Sequence, residues 1–311
     1  MGFRTIRPIL VTGTQRSGST WVGKMIAVHP RVLYFSEPFN PARCDLPVRT
    51  WWHYVTPRDQ QLFGRYLRFP CELRLPWWEH RLDFPANLLR RMWRTFSYMR
   101  RRWHGYRPLL KDPIALLSAE WLATQYPTQN VVLIRHPAAY ASSLKRLNWW
   151  MPVADLLGQE QLMRDWLHPY EAELRRLLHG ADIIEHAIVG WRVFHHVIRE
   201  YQRRHPHWLF CRHEDLSLRP VEEFADIFKF LGLEFTPAVQ HAIEQHSDEE
   251  NPREAGGEVH RLKRNSKANV WNWQQRLTPA EINRIRSGTG ELADHFYGDE
   301  DWWSPRTSLA A

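Results

Sequence analysis

The chain has 311 residues, of which 43% are hydrophobic and 24% charged, so it is long enough to bury a large apolar core. Its 42 Lys and Arg residues exceed its 34 Asp and Glu residues, and the resulting formal charge of +8 favours anionic partners. No apolar run approaches the length of a membrane span, and the first apolar segment is too short for a signal-peptide core. The composition therefore predicts a cytoplasmic protein with a single domain over residues 1–311.

The cysteine pattern bears on metal binding and on redox environment. Cys44, Cys71 and Cys211 are widely spaced, odd in number and form no Cys-x-x-Cys pair. This pattern predicts neither a disulfide framework nor a zinc site. We therefore expect a reducing compartment and no required metal.

Short apolar segments alternate with longer helical patterns along the chain, which is typical of an α/β protein with a central parallel sheet. The predicted strands are residues 9–12, 32–35, 109–111, 131–135 and 208–212. The predicted helices are residues 20–28, 115–125, 138–147, 159–178, 183–204, 221–231 and 279–287. Ligands of such sheets bind beyond the carboxyl ends of the strands, so we expect the functional residues there.

The first predicted strand runs into a glycine-rich segment and then into a helix, which is how phosphate-binding loops are built. Four residues separate Gly13 from Gly18, but Ser19 stands where a P-loop for ATP or GTP has Lys. Backbone N–H groups of residues 14–19 can still surround a phosphate, whereas the cation that reaches the β- and γ-phosphates is missing. Arg16 places a charge inside the loop instead. This favours a single 5′-phosphate that bears another anionic group, and it disfavours ATP.

The segment Arg16-Ser-Gly-Ser-Thr-Trp21 resembles the first signature of the sulfotransferases that use 3′-phosphoadenosine 5′-phosphosulfate (PAPS). A second segment fits the same family: a strand ends in Arg135, and the helix after it carries Ser143. In the family, an Arg and a Ser at this spacing hold the 3′-phosphate. The resemblance implies a P-loop type three-layer α/β/α domain with a central parallel sheet. It also implies that the donor is bound by Thr14, Gln15, Arg16, Ser17, Gly18, Ser19, Thr20 and Trp21.

Sulfuryl transfer needs a base for the acceptor hydroxyl and positive charge for the leaving 5′-phosphate. Arg16 and Lys111 are the candidate cations, and Lys111-Asp-Pro113 resembles a Lys-containing segment of the family. Glu37 is the candidate base, because it follows His29-Pro30 and a short strand as the base of the glycan-directed branch does. A carboxylate is ionised at neutral pH and accepts a proton directly. The alternatives are a Glu37 that pairs with a nearby Arg and a Lys111 that faces solvent.

The acceptor class follows from a departure from the family pattern. The small-molecule branch has a His in a Lys-Thr-His-Leu-Pro segment, and no His follows Lys111 here. We therefore predict transfer to a hydroxyl of a carbohydrate or glycolipid. A kinase-like P-loop enzyme, a sulfotransferase of small alcohols or phenols, and a non-catalytic basic binding protein stay open as alternatives.

Later segments resemble the family less closely. His213 lies where an aromatic residue of the family touches the adenine, and the segment with Arg264 and Lys267 resembles the loop that closes over the 3′-phosphate. Ala268 replaces the glycine of that loop, so the basic residue that makes the contact is undecided among Lys263, Arg264 and Lys267. Residues 42–107 and 148–206 match nothing specific and are predicted to shape the acceptor site. Residues 247–268 are predicted to form a mobile loop.

Residues 84–107 interleave arginines with aromatic and aliphatic residues. This pattern fits peripheral contact with an anionic membrane, a groove for an acidic glycan, or an amphipathic helix whose arginines face water. No RNA- or DNA-binding motif accompanies the charge, so we expect no nucleic-acid partner.

Overall fold

The computed structural model describes residues 6–42, 50–73, 97, 100–247 and 270–302. Its strands form one parallel sheet with the order β2-β3-β1-β4-β5. They are Ile9–Gly13 (β1), Val32–Ser36 (β2), Arg107–Lys111 (β3), Gln129–Ile134 (β4) and Leu209–Arg212 (β5). All five predicted strands are confirmed. β1 is the central strand, with β2 and β3 on one side and β4 and β5 on the other. Because the strand order changes direction at β1, a ligand crevice is expected beyond its carboxyl end.

Helices cover both faces of this sheet. In chain order they are Ser19–Ile26 (α1), Gln60–Glu72 (α2), Ala119–Gln125 (α3), Pro137–Leu147 (α4), Val153–Leu157 (α5), Glu171–Leu177 (α6), Ile183–Arg204 (α7), His213–Leu218 (α8), Pro220–Leu231 (α9), Pro237–Ser247 (α10), Trp273–Arg276 (α11) and Pro279–Asp294 (α12). The sequence pattern did not indicate α2, α5, α8, α10 or α11.

Two apolar layers flank the sheet because successive strand residues point to opposite faces. Ile9 and Val11 belong to the layer formed with α1, α9 and α10. Leu10 and Val132 belong to the opposite layer, formed with α4, α7 and α12. This arrangement confirms the predicted three-layer α/β/α fold.

The helix predicted over residues 159–178 is present over 160–177, but it is not a regular α-helix. It starts as a short α-helical segment at Glu160–Leu162 and passes through a wide π turn at Met163–Leu167 and a 3₁₀ turn at His168–Tyr170, which interrupt the regular α geometry before α6 begins. Pro169 explains the interruption, because it has no backbone N–H and its ring clashes with the carbonyl four residues earlier.

Two other predicted helices have different ends. The helix predicted over residues 115–125 begins as a 3₁₀ turn at Ile114–Ser118 before α3. The helix predicted to end at residue 287 continues to Asp294, with non-helical backbone at Gly290. The predicted mobile loop lies outside the described residues except for Ser247, as do Cys44 and most of residues 84–107.

The segment 148–206 contributes to the core of the domain. It includes α7, which packs against α4 and α12 and buries Trp191 and Phe194 completely. Part of the segment therefore supports the sheet, and its role in shaping an acceptor site stays a prediction.

Candidate active site

Each of the five strands delivers a loop or a side chain to the carboxyl edge of the sheet. The glycine-rich loop follows β1, Glu37 follows β2, and Lys111 ends β3. Arg135 follows β4, and His213 follows β5. Since the strands are parallel and neighbours in the sheet, residues that are far apart in sequence meet at one edge.

Two glycines give the loop after β1 its shape. Gly13 has φ +141° and Gly18 has φ +90°, a region that residues with a side chain rarely adopt. A Cβ atom at Gly13 would overlap the Leu133 carbonyl, and one at Gly18 would overlap the His213 ring. Arg16 also has a left-handed backbone, with φ 67°. The turn is thus fixed by close packing against β4 and α8.

The loop carries polar groups that suit a phosphate. The hydroxyls of Thr14 and Ser17 are buried and have no hydrogen-bond partner among the described residues. The first N–H groups of a helix have no helical partner. In α1, which begins at Ser19, no side chain caps them and the first turn has no acidic residue. These donors, together with the positive end of the helix, fit a bound anion.

Side chains of the loop are tied to α4. Arg16 Nε donates to Ser143 Oγ at 3.0 Å, and Gln15 Nε2 donates to the Tyr140 hydroxyl at 2.7 Å. The Arg16 guanidinium also lies 5.7 Å from the ring centroid of Trp149. The two predicted phosphate motifs therefore meet in space, and the structure adds Tyr140 and Trp149, which the sequence did not indicate.

Lys111 and Glu37 form an ion pair at the same edge. Lys111 Nζ donates to Glu37 Oε1, and Asn40 Nδ2 donates to Glu37 Oε2 at 2.7 Å. The side chain of Lys111 is 1% exposed and that of Glu37 13%. Lys111 therefore does not face solvent, and among the described residues it is a cation paired with Glu37. The backbone N–H of Glu37 donates to the Lys111 carbonyl at 2.8 Å, which holds Glu37 in a left-handed turn with φ 52°.

Asp112 is a fully buried carboxylate next to this pair. It accepts backbone N–H bonds from Phe39 at 2.6 Å and from Ile114 at 3.0 Å. Burial raises the pKa of Asp112 to about 7, although the N–H donors and the Lys111 charge act in the opposite direction. Asp112 thereby fastens the turn that holds Glu37 and Asn40 to the end of β3. Sequence reasoning missed both Asn40 and this use of Asp112.

Arg135 is held by a carboxylate. Its Nε lies 3.5 Å from Glu214 Oε1, and its side chain is 15% exposed. The Glu214 carboxylate also accepts bonds from the His136 N–H at 3.1 Å and the Tyr297 hydroxyl at 2.9 Å. Burial lowers the pKa of the Arg135 guanidinium, while Glu214 raises it. These hydrogen bonds fix the Glu214 carboxylate as a counter-ion beside Arg135 at the end of β4.

The predicted pairing of Arg135 with Ser143 around a 3′-phosphate stays a prediction. In the structure Ser143 bonds to Arg16, whereas Arg135 is held by Glu214. Arg276 of α11 lies near enough to Arg135 for their charges to interact. Arg276 is therefore an additional cation near Arg135 that no sequence motif indicated.

His213 lies beneath the glycine-rich loop. Its ring packs under Gly18, and its centroid is 6.1 Å from that of Trp21 in an edge-to-face arrangement. Trp21 packs edge-to-face on Phe224 as well, at 5.2 Å. The predicted contact of His213 with an adenine stays a prediction.

Some predicted features lie outside the described residues or have no counterpart within them. Arg264 and Lys267 fall in a part of the chain that the structure does not describe. Within the described ranges, no group of three or more His, Cys, Asp and Glu side chains is arranged to hold a metal ion. Among the described helices, none has both the length and the apolar character needed to cross a membrane.

The parallel sheet, the glycine-rich turn after its central strand and the buried hydroxyls beneath a helix N-terminus define a P-loop type α/β protein. Residues 8–237 match the profile described as the sulfotransferase family. Since this match covers well over half of the chain, the chain belongs to that family and is a sulfotransferase. The predicted enzyme class is thus confirmed against the kinase-like and non-catalytic alternatives.

Individual similar proteins are distant. Mouse carbohydrate sulfotransferase 4 is 24% identical over 329 residues, which cover 92% of this chain and 80% of that protein. The sulfotransferase domain of the Synechococcus PCC 7002 olefin synthase has a TM-score of 0.49 at 21% identity, covering 94% of this chain and 96% of its own. Mouse sulfotransferase SULT7A1 complexed with PAP has a TM-score of 0.43 at 12% identity, covering 91% and 82%. The family assignment rests on the profile match.

Proposed function

We propose that this sulfotransferase moves the sulfuryl group of PAPS to a hydroxyl of a carbohydrate or glycolipid. The observation that carries the proposal is the buried pair of Lys111 and Glu37 at the sheet edge that also bears the glycine-rich loop. One edge thus combines a phosphate cradle, a cation and a carboxylate. These are the groups that an in-line transfer between a phosphate and a hydroxyl requires.

Residues of the glycine-rich loop would hold the 5′-phosphate of the donor. The N–H groups of residues 14–19 and the free hydroxyls of Thr14 and Ser17 would surround it, with Arg16 supplying charge. Arg135 and Ser143 would hold the 3′-phosphate, and His213 would lie near the adenine. Lys263, Arg264 and Lys267 are the proposed cations of a closing loop.

Glu37 and Lys111 have different roles in the proposed reaction: Glu37 is the base, and Lys111 is the cation for the leaving phosphate. When bound, the donor supplies the sulfuryl group and leaves with additional negative charge on its 5′-phosphate. Glu37 accepts the proton of the acceptor hydroxyl, because its carboxylate is already fixed by Asn40 and Lys111. Proton uptake neutralises Glu37 and weakens its attraction for Lys111. The Lys111 charge is then available to the leaving phosphate at the moment when that charge is greatest.

Two features support a sugar hydroxyl as the acceptor. Pro113 stands two residues after Lys111, where the small-molecule branch has its histidine base, so that base is missing here. The similarity to mouse carbohydrate sulfotransferase 4 points in the same direction. The small-molecule alternative, an alcohol or a phenol, is the competing acceptor class.

A donor-binding measurement tests the first half of the proposal. The reaction product 3′-phosphoadenosine 5′-phosphate (PAP) should raise the unfolding temperature more than ADP or ATP with Mg²⁺. At one hundred times its dissociation constant it would add about 2.7 kcal/mol to the free energy of unfolding. An equal effect of ATP with Mg²⁺ would contradict the proposed donor.

A transfer assay tests the acceptor class. Radiolabelled PAPS is incubated with neutral oligosaccharides, extracted glycolipids, simple alcohols and phenols, and a reaction without acceptor measures hydrolysis. We expect label on sugar hydroxyls. Label that enters only phenols or simple alcohols would retain the transferase and refute the carbohydrate acceptor.

A further inference from the structure

A second candidate site lies at the opposite edge of the sheet. An open cavity of about 560 Å³ adjoins the starts of β2 and β3 and is lined mainly by Arg31, Ser97, Arg100, Arg101, His104 and Tyr106. Arg31 and Tyr106 come together because the Arg107 N–H donates to the Arg31 carbonyl at 2.7 Å. We call this cavity the basic pocket.

The lining of the basic pocket is cationic. Among the residues that the structure describes, it includes three arginines and a histidine but no carboxylate. Arg31 and Arg100 are exposed, and within the described ranges neither forms an ion pair. Exposed arginines without neutralising partners on a concave surface attract anions. The pocket therefore suits a phosphate-bearing ligand.

An exposed tryptophan stands beside the pocket. Trp103 is 71% exposed, and it lies in the same helical turn as Arg101 and His104. An indole in bulk water gains little from that position, whereas at a bilayer surface its ring enters the apolar boundary and its N–H stays at the headgroup level. Basic residues next to an exposed tryptophan are the pattern of a surface that binds anionic membranes.

We propose that the basic pocket and Trp103 dock the protein on a membrane with anionic phospholipid headgroups. The pocket takes a headgroup phosphate, and the indole enters the interface next to it. A pocket for a soluble anion would account for the arginines, but it would leave the exposure of Trp103 unexplained. This proposal is independent of the donor and acceptor proposed above.

The position of the pocket fixes the orientation of the docked protein. β2 and β3 are five residues long, so at about 3.3 Å per residue they separate the pocket from Glu37 and Lys111 by roughly 15 Å. The pocket is at the amino edge of the sheet and the pair is at the carboxyl edge. A docked protein would therefore hold Glu37 and Lys111 at the sheet edge away from the bilayer.

Co-sedimentation of the full chain with vesicles tests the docking surface. We expect binding to phosphatidylcholine vesicles that contain about 30% phosphatidylserine, no binding to phosphatidylcholine alone, and weaker binding as salt rises. The double variant Arg31→Ala/Arg100→Ala should weaken binding about thirty-fold, since each basic residue near such a surface contributes about fivefold. Trp103→Ala should weaken vesicle binding about fivefold.

Matched variants on other surfaces serve as controls. Arg164→Ala/Arg203→Ala removes the same charge from exposed positions elsewhere, and Leu178→Ala removes an exposed apolar side chain. Both controls should bind vesicles like the unmodified protein. PAP binding should be unchanged in every variant, which separates this test from that of the transferase reaction.

Three outcomes would overturn the docking proposal. One is the absence of binding to the anionic vesicles at low salt. Another is an equal loss of binding in the pocket variants and their controls. The third is tight binding of inositol hexakisphosphate or a sulfated polysaccharide that depends on Arg31 and Arg100, while vesicles do not bind. This result would assign the pocket to a soluble polyanion.

Discussion

Glu37 shows how one side chain is prepared for proton transfer by its surroundings. Both carboxylate oxygens are engaged, one by Lys111 and the other by Asn40. Its left-handed backbone is held by a hydrogen bond to the end of β3. Such a conformation is costly and persists only where the surrounding structure fixes it. The strained backbone of Glu37 therefore indicates that the position of its carboxylate is important for function.

Replacement of Glu37 by Gln keeps the shape of the side chain and removes its capacity to accept a proton. We expect Glu37→Gln to lower turnover by about 10²- to 10⁴-fold and to leave the dissociation constant of PAP nearly unchanged. Steady-state kinetics and PAP titration measure the two effects. Glu171, whose side chain is 40% exposed, provides the matched control Glu171→Gln, which should be fully active. Near-normal turnover of Glu37→Gln would reduce Glu37 to a structural partner of Lys111.

Lys111 should affect both binding and turnover. Lys111→Ala removes the cation proposed to meet the leaving phosphate, so we expect lower turnover and PAP binding weakened by about tenfold or more. The exposed Lys229→Ala carries the same charge change on α9 and should leave both unchanged. Lys111→Ala with normal PAP affinity would show that its charge does not reach the nucleotide.

The turn between β1 and α1 is the element on which donor binding depends. Gly18→Ala would place a Cβ atom against His213 at a backbone angle that alanine avoids. We expect a loss of about 1–3 kcal/mol in the free energy of unfolding and much weaker PAP binding. Urea unfolding and PAP titration measure these changes.

A second variant separates the two causes of that loss. Gly18→Ala/His213→Ala removes the overlap but keeps the strained angle, so it should recover part of the stability. Gly64→Ala is the control, because Gly64 lies inside α2 with open space around it. It should stabilise the protein by about 0.5–1 kcal/mol. Equal stability of Gly18→Ala and the unmodified protein would contradict the packing described for the turn.

β4 contains a polar side chain that the fold leaves unsatisfied. Asn130 is 0% exposed, and neither its amide oxygen nor its amide nitrogen has a hydrogen-bond partner in the described part of the chain. We expect Asn130→Val to raise the free energy of unfolding by about 1–3 kcal/mol, because a buried polar group without partners costs that much. Urea unfolding measures the gain, and the exposed Asn283→Val should show none. Destabilisation by Asn130→Val would reveal a partner for the amide.

At the scale of the whole molecule, buried histidines couple stability to pH. His195 is completely buried, with one ring nitrogen 2.9 Å from the Trp191 carbonyl and the other 3.5 Å from the Arg135 N–H. Burial lowers the pKa of His195 from 6.5 to about 3. Burial and the Arg135 charge also lower the pKa of His136 well below its ordinary value.

This coupling predicts the direction of acid denaturation. Between pH 6.5 and about 3 the unfolded chain binds a proton at His195 that the folded protein does not, so stability falls as the pH falls. His195→Gln cannot take up this proton, and we expect the slope of unfolding free energy against pH to decrease by about 1.4 kcal/mol per pH unit. Urea unfolding at several pH values across this range measures the slope. Parallel curves for the two proteins would contradict the buried neutral histidine.

The sequence by itself determined the five strands and the two phosphate motifs. Buried parallel strands are continuous apolar runs, and a phosphate-binding turn needs glycines at fixed spacing, so both are visible locally. The same local signal predicted the helical conformation of residues 159–178 but missed the π and 3₁₀ turns beside Pro169. It also failed for α2, whose many polar residues and internal Pro70 concealed a helix.

Only the tertiary structure decided which polar groups meet. Arg16 and Ser143 are 127 residues apart, and Lys111 and Glu37 are 74 apart. No local pattern encodes these pairings, because they result from the strand order, which brings the ends of β1 to β5 to one edge. The roles of Asn40 and Asp112 have the same origin. The sequence supplied the chemical groups, and the packing of helices on both faces of a parallel sheet set the distances at which they act.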